Sequence, residues 1–252
     1  MLTGKKILVA GAAGLLGRHL VAHLLSVGAA VLAVDFNGTV LREGLEKSGL
    51  LNHPLLSTAD LDLNDVPGVT RFFESVDSID GAVNCAYPRN KQYGRSFYQV
   101  ELADFNENVS LHLGASFLFI QQCAQYFKQH NAPFSLVNIS SIYGVVAPKF
   151  EIYDNTPMTM PVEYAAIKSA LIHLSKYVAS FVGDSRFRSN CVSPGGIFDR
   201  QPEPFLEKYK EECLGKGMLD VEDLMGSIAF LLSDQSRYIN GQNLVVDDGF
   251  SL

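Results

Sequence analysis

Tyr164 and Lys168 bracket the stretch Tyr-Ala-Ala-Ile-Lys, a spacing that puts two side chains on one face of a helix. An ammonium beside a phenol favours the phenolate. Tyrosine otherwise holds its proton up to about pH 10, so acid/base work near neutrality needs such help. Residues 162–180 carry apolar side chains at helical spacing with no internal Gly or Pro, which predicts the helix. Any Tyr four residues ahead of a Lys meets the pattern, so its meaning depends on the elements that position it.

The first of these elements is near the N-terminus. Residues 6–10 form a short apolar, β-prone run that ends in Gly11-Ala-Ala-Gly14-Leu-Leu-Gly17. Leu16, Leu20, Leu24 and Val27 follow at helical spacing, then a second apolar run over 30–34 closes on Asp35. Strand, glycine turn, helix, strand and acid is the order of a dinucleotide-binding βαβ unit. The first glycine permits the tight turn, the second lets backbone N–H groups approach a pyrophosphate, and the third lets helix and sheet pack closely. A glycine-rich turn in an unrelated α/β domain is the competing explanation. Asp35 lies roughly 20 residues past the glycines, where a carboxylate accepts both ribose hydroxyls of the adenosine half. It would repel a 2′-phosphate, and no Arg or Lys falls in the turn or directly after Asp35. NAD is therefore expected in preference to NADP, with Arg42 the one basic residue close enough to oppose that choice.

The alternation continues along the chain. Strands are expected over 54–57, 81–84, 134–139, 189–193 and 243–246, with helices over 66–76, 101–130, 162–180 and 221–233. Apolar strands in regular βα alternation imply one parallel sheet covered by helices on both faces, an α/β, Rossmann-like, doubly wound domain. No repeat or linker divides residues 1–252; a cofactor half (about 1–140) and a catalytic and substrate half (about 141–252) share the domain. Of the 252 residues, 47% are hydrophobic and 19% charged, enough for a sizeable core. The net charge of −7 argues against non-specific nucleic-acid binding. No apolar run reaches the ~18 residues of a membrane span, and no signal-peptide anatomy precedes the first strand. Cys85, Cys123, Cys191 and Cys213 lack metal-type spacing, as do the six histidines. No metal is expected, and buried thiols in a reducing cytoplasm fit the pattern.

Nearly the whole chain resembles the short-chain dehydrogenase/reductase family in its short, single-domain branch. The residues that carry the resemblance are Gly11, Gly14 and Gly17, Asp62-Leu63, Asn84-Cys-Ala86, Asn108, Asn138-Ile-Ser-Ser141, Tyr164-x-x-x-Lys168, Ser193-Pro-Gly195-Gly and Asn240-Gly-Gln with Asp247-Asp-Gly. The resemblance implies roles. Tyr164 is the general acid/base toward the substrate oxygen, Lys168 lowers its pKa and bonds the nicotinamide ribose, and Ser141 hydrogen-bonds the reacting oxygen. Asn108 helps hold a water that links Lys168 to bulk. Hydride exchange between nicotinamide and a carbonyl carbon leaves charge on oxygen, which a Ser and Tyr donor pair stabilises. The coenzyme contacts implied are Gly11, Ala13, Gly14, Leu15, Leu16, Gly17, Asp35, Phe36, Asp62, Leu63, Asn84, Ala86, Pro194, Gly195 and Ile197, besides Tyr164 and Lys168. Read without the family, Ser141 could simply end a strand, Asn108 could be an ordinary helix residue, and Asp60 competes with Asp62 for the adenine contact. His173 reads as packing or surface.

Several positions depart from the family pattern. The glycines are spaced Gly-x-x-Gly-x-x-Gly, as in the longer sugar-nucleotide branch, and Ala10 replaces the usual Thr. Tyr87 stands where the family has Gly, and Asp199 where many members have Thr. Between Ser141 and Tyr164 lie 22 residues; the surplus, around 148–161, is expected as a surface excursion beside the active site, where loops set substrate choice. A lid ordered by ligand binding is expected over about 197–219. By analogy the apolar C-terminal end packs across subunits of a dimer or tetramer.

The loop Tyr87-Pro-Arg89-Asn-Lys91-Gln-Tyr93-Gly-Arg95 follows a strand's C-terminal end and holds three cations in an acidic protein. It reads either as a receiver for phosphate or carboxylate or as a solvated face. Tyrosines there suit sugar rings. Arg89-Asn-Lys91 together with Ser-Ile-Tyr143-Gly-Val-Val-Ala-Pro-Lys149-Phe resembles bacterial dehydrogenases grouped with flagellin modification and nonulosonic-acid sugars. That resemblance implies hydroxyl/keto conversion on an amino sugar or its phosphate, with Tyr87, Arg89, Lys91, Arg95, Tyr143 and Gly196 as substrate contacts. Two other functions compete: a sugar-nucleotide epimerase or dehydratase, suggested by the glycine spacing, and a catalytically silent dinucleotide sensor, which the intact Tyr164, Lys168, Ser141 and Asn108 disfavour.

Overall fold

The computed structural model describes residues 1–252. Its first unit is β1 (Lys6–Ala10), α1 (Leu15–Ser26) and β2 (Ala30–Asp35). Next come α2 (Gly38–Lys47), β3 (Leu56–Asp60), α3 (Val66–Ser75) and β4 (Gly81–Asn84). A helix pair, α4 (Leu102–Asn108) and α5 (Ala115–His130), leads to β5 (Phe134–Ile139), and α6 (Val162–Val182) to β6 (Phe187–Pro194). The chain finishes with α7 (Glu203–Glu211), α8 (Met225–Leu232) and β7 (Asn243–Val246). All seven strands join one parallel sheet in the order β3-β2-β1-β4-β5-β6-β7.

Alternation along β1 shows how the sheet builds two cores. Ile7 and Val9 point into a cluster with Leu20, Leu24, Ile228 and Leu232 from α1 and α8. Leu8 and Ala10 point the other way, among Phe73 of α3 and Phe119, Ile120 and Cys123 of α5. Period-2 side chains on a parallel strand, apolar on both faces, demand this sandwiching by helices. Each fully buried Leu, Ile or Phe contributes about 1.5–3 kcal/mol.

The strand order reverses between β1 and β4, whose register pairs Ala10 with Asn84. Asn84 pairs in turn with Asn138 of β5. The C-terminal ends of these strands therefore lie side by side, the crevice where open α/β sheets take ligands.

Three local features differ from the sequence pattern. The long helix expected over 101–130 is present and continuous, with a π-helical stretch, Val109–Gly114, between α4 and α5. The strand expected over 54–57 runs instead over Leu56–Asp60, paired with β2. The segment 148–161 lies at the surface beside the crevice, as expected, but it is anchored there. It buries Ile152 in a third cluster with Ile142, Tyr143, Phe205, Tyr209 and Phe250. Lys208 of α7 donates to the carbonyls of Glu151 (3.1 Å) and Asp154 (2.8 Å), fastening that segment to α7. All four cysteines are free, with Cys123 and Cys191 buried. No helix is long and apolar enough to cross a membrane.

Candidate active site

Helix α6 carries Tyr164 and Lys168, the pair expected to do acid/base work. Its buried face runs Glu163, Ile167, Lys168, Leu171, Ser175 and Val178, so a helical stripe packed on the sheet brings Lys168 inward with it. Two serines at the end of β5 divide the work. Ser140 donates to the Lys168 carbonyl at 2.7 Å, pinning the helix to the strand. Ser141 accepts from the Tyr143 backbone N–H at 3.2 Å, which fixes its oxygen and leaves its own proton to donate. The turn after them presses so closely on α6 that a Cβ at Gly144 would lie 2.7 Å from the Lys168 carbonyl carbon.

The Lys168 ammonium donates to the Ile139 carbonyl at 2.8 Å and sits 5.5 Å from the ring centres of both Tyr87 and Tyr164. Burial pulls its pKa down to about 8. Burial also raises the Tyr164 phenol, an effect opposed by a hydrogen bond with the Ser141 side chain. In the protein as it stands the phenol is thus protonated. The lowered pKa of the ammonium and the reluctance of the phenol to ionise have one cause, burial away from water.

At the other end of the crevice the residues fit a dinucleotide. Gly11 adopts φ +75°, and a Cβ there would lie 2.7 Å from the Ala86 amide nitrogen. A Cβ at Gly17 would lie 2.1 Å from the Gly11 carbonyl oxygen. Only glycine lets the turn close this tightly. Gly14 caps α1 without a side-chain hydrogen bond, so the first-turn N–H groups of a 12-residue helix remain for a pyrophosphate. Asp35 accepts from Ala13 N (3.0 Å) and Asn37 N (3.1 Å), holding turn and strand end together. Arg42 is drawn away, bonded to Asp60 at 2.7 Å.

One cavity of about 1050 Å³ joins the two ends. It is lined by Gly11, Ala13, Gly14, Leu15, Leu16, Gly17, Asp35, Phe36, Asp62, Leu63 and Ala86 on the βαβ side. Ser141, Tyr143, Tyr164, Lys168, Pro194, Gly195, Gly196 and Ile197 line it on the other, with Tyr87 and Arg89 at the mouth. Asp62, not Asp60, faces the cavity.

Four of the sequence-derived residues lie outside that lining. Asn84 is buried, its carbonyl oxygen taking the Ala86 N–H (3.2 Å) and its amide donating to Ser116 (3.1 Å); it shapes the loop from behind. Asn108 is buried at the start of the π stretch. Its side chain accepts from Asn90 N (2.9 Å) and donates to Asn90 Oδ1 (3.2 Å) and Glu163 Oε1 (3.3 Å), so it clasps the 87–95 loop to α6. Lys91 is exposed and Arg95 is turned aside, bonded to Asp104 at 2.9 Å and to Gln92. Of the three cations expected to receive an anion, only Arg89 faces the cavity.

Other residues line the cavity within segments the sequence placed beside it without assigning each a contact. Tyr153, Met158, Thr159 and Met160 come from the 148–161 segment and line the cavity, as do Tyr93, Phe205 and Tyr209. Helix α7 closes this side: the Tyr209 hydroxyl accepts from the Gly196 N–H, and its ring stacks on Phe250 at 4.5 Å. His112 packs edge-on against Tyr87 at 5.2 Å, and burial followed by the Lys168 charge lowers its pKa to about 2. It is a neutral wall. His173 is exposed.

Comparison with known proteins agrees with this geometry. A family model described as enoyl-(acyl carrier protein) reductase matches residues 11–251. The flagellin modification protein A of Campylobacter coli is 41% identical, over 100% of both chains. A 3-oxoacyl-[acyl-carrier-protein] reductase of Thermotoga maritima is 29% identical, over 98% of each. A solved short-chain dehydrogenase from Leptospira borgpetersenii with bound NAD+ superposes with a TM-score of 0.88 at 30% identity, covering 100% of this chain and 94% of that one. The chain belongs to the short-chain dehydrogenase/reductase family. Its class is that of oxidoreductases that work with a nicotinamide dinucleotide.

Proposed function

We propose that this protein interconverts a secondary alcohol and a ketone on a sugar or sugar phosphate, using NAD. The observation that carries the reading is the convergence of Tyr164, Ser141 and Lys168 on the cavity that also contains the glycine turn. When bound, NAD supplies the hydride exchange. The chain's own residues do the rest. Ser141 holds the substrate oxygen by its O–H, and Tyr164 gives or takes the proton at that oxygen. Lys168, an ammonium one turn along the helix, steadies the phenolate and meets the nicotinamide ribose. Asn108 holds the loop and, through the π stretch, a water route for protons toward Lys168.

NAD is preferred over NADP because Asp35 stands at the end of β2 and the nearby Arg42 is neutralised by Asp60. Tyr87, Tyr93, Tyr143 and Tyr153 around the cavity offer hydroxyls and ring faces that suit a polyhydroxylated ring, and the 41% identical flagellin-modification relative supports a sugar. Residues 1–140 act as the cofactor half, 141–252 as the catalytic half, and 197–219 as the lid. Phe117 of α5 with the stacked pair Tyr177 and Phe181 of α6 leave an exposed aromatic face that supports self-association to a dimer or tetramer. A cytoplasmic location fits the free thiols.

The test is NADH formation or consumption across amino sugars, sugar phosphates and nucleotide-linked sugars, set against neutral alcohols and acyl-thioester ketones. Turnover is expected to concentrate on the sugars. Equal turnover of neutral ketones overturns the substrate reading. Sugar conversion with no net NADH change means an epimerase, and no conversion of anything despite NAD binding means a sensor.

A further inference from the structure

The loop 87–95 is held more firmly than its length requires. Asn90 accepts from Gln92 N (3.0 Å) and donates to Asp104 (3.2 Å) and Glu107 (2.7 Å) in addition to its two hydrogen bonds with Asn108. Thr159 donates to the Gly94 carbonyl at 2.6 Å, and Arg95 is paired with Asp104. Tyr87, Pro88, Arg89, Tyr93 and Gly94 of the loop line the cavity.

Among them Tyr87 and Tyr93 stand edge to face, ring centres 5.8 Å apart, with their hydroxyls bonded. The Arg89 guanidinium carbon lies over the Tyr87 ring at 4.8 Å and over that of Tyr93 at 6.0 Å. Tyr87 in turn meets the Tyr164 ring at 5.6 Å. A cation is thereby placed, through one intervening ring, at a fixed reach from the acid/base. Stacking occupies only the face of a guanidinium and leaves its in-plane N–H fork to bind a partner.

No partner is present within the protein. Arg95 and Arg42 are both paired with acids, whereas Arg89 forms no ion pair and no hydrogen bond with any side chain or carbonyl, and its only neighbours of note are the two rings. Besides Arg89 the cavity holds one other cation, Lys168, and the carboxylates Asp35, Asp62 and Asp199. Asp35 and Asp62 lie at the glycine-turn end, away from the loop.

We propose that Arg89 receives an oxyanion, carboxylate or phosphate, carried by the substrate several bonds from the carbon that reacts at Tyr164. This rests on the oxidoreductase reading and narrows its substrate to an anionic sugar. A guanidinium fork on an aromatic platform suits an oxyanion of either kind, bidentate and charge-assisted.

The test uses three probes that differ only at one end of the same ring: glucose, glucuronate and glucose 6-phosphate. Each is titrated by calorimetry into NAD-loaded wild type, Arg89→Ala and Arg89→Lys, while NADH binding is followed by fluorescence in the same preparations. At least one anion is expected to bind wild type about tenfold or more tightly than glucose, and to lose about ten- to a hundredfold in Arg89→Ala. Arg89→Lys keeps part of the affinity, NADH binding is unchanged, and the preferred anion tells carboxylate from phosphate. Equal binding of glucose and both anions, equal binding by Arg89→Ala, or binding of none of the three overturns the proposal. Failure of wild type to bind NADH counts instead against the oxidoreductase reading.

Discussion

Replacing Lys168 by Met should make the coenzyme-free protein more stable while destroying its activity. Met has nearly the length of Lys and no charge, so it fills the same dry slot beside Tyr87 and Tyr164. Burial lowers the Lys168 pKa from 10.5 to about 8, which at 1.36 kcal/mol per unit amounts to about 3 kcal/mol against the charged form. Against this, the Ile139 carbonyl loses its donor, a cost of ~1–2 kcal/mol. The net gain at pH 7 is about 1–2 kcal/mol, or a Tm rise of ~2–8 °C. The sign with pH follows from proton counting. Above pH 8 the folded protein releases this proton before the unfolded chain does, so wild-type stability rises with pH toward 10.5 and the advantage of Met fades. Urea unfolding of both proteins without NAD, at pH 7 and again near pH 10, measures the difference. Lower stability of Lys168→Met at pH 7, or a gap that does not shrink with pH, would refute the assignment of a desolvation cost to this residue.

Other substitutions probe the rest of the site. Gly17→Ala drives a Cβ into the Gly11 carbonyl; it should weaken NADH binding by about tenfold or more and destabilise by ~1–3 kcal/mol, read by fluorescence titration and thermal melting. Asp35→Ala should narrow the preference for NAD over NADP, read as the ratio of kcat/KM values, and a wild type that already prefers NADPH contradicts the coenzyme reading. Asn90→Ala takes a partner from the buried amide of Asn108 and should cost ~1–3 kcal/mol in a denaturant melt, with NADH affinity preserved.

The parts of the fold that were legible in the sequence are those fixed by local chemistry. The turn Gly11-Ala-Ala-Gly14-Leu-Leu-Gly17 and the acid Asp35 announce a βαβ unit because backbone geometry there admits few residue types. Tyr164 and Lys168 share a helix face by spacing, and take their meaning from the βαβ unit and the family pattern around them. The features that stayed hidden depend on partners far apart in the chain. Nothing near Arg95 says that Asp104 will capture it while Arg89 goes free. The π stretch inside the helix expected over 101–130 is invisible because residues 109–114 contain no proline; it coincides with the clasp of Asn108 on Asn90 and Glu163. The 148–161 segment is polar enough to suggest a surface loop, yet Ile152 and Tyr153 find a core with Phe205 that only the fold creates.

The central claim is that Tyr164 moves the proton at the substrate oxygen and does nothing for coenzyme binding that its ring cannot do. Tyr164→Phe removes one oxygen and keeps the ring that stands against Tyr87. With NADH affinity and turnover measured on the same preparation, this account gives an affinity within about threefold of wild type and a kcat lower by at least about a hundredfold. Turnover that survives the substitution contradicts it.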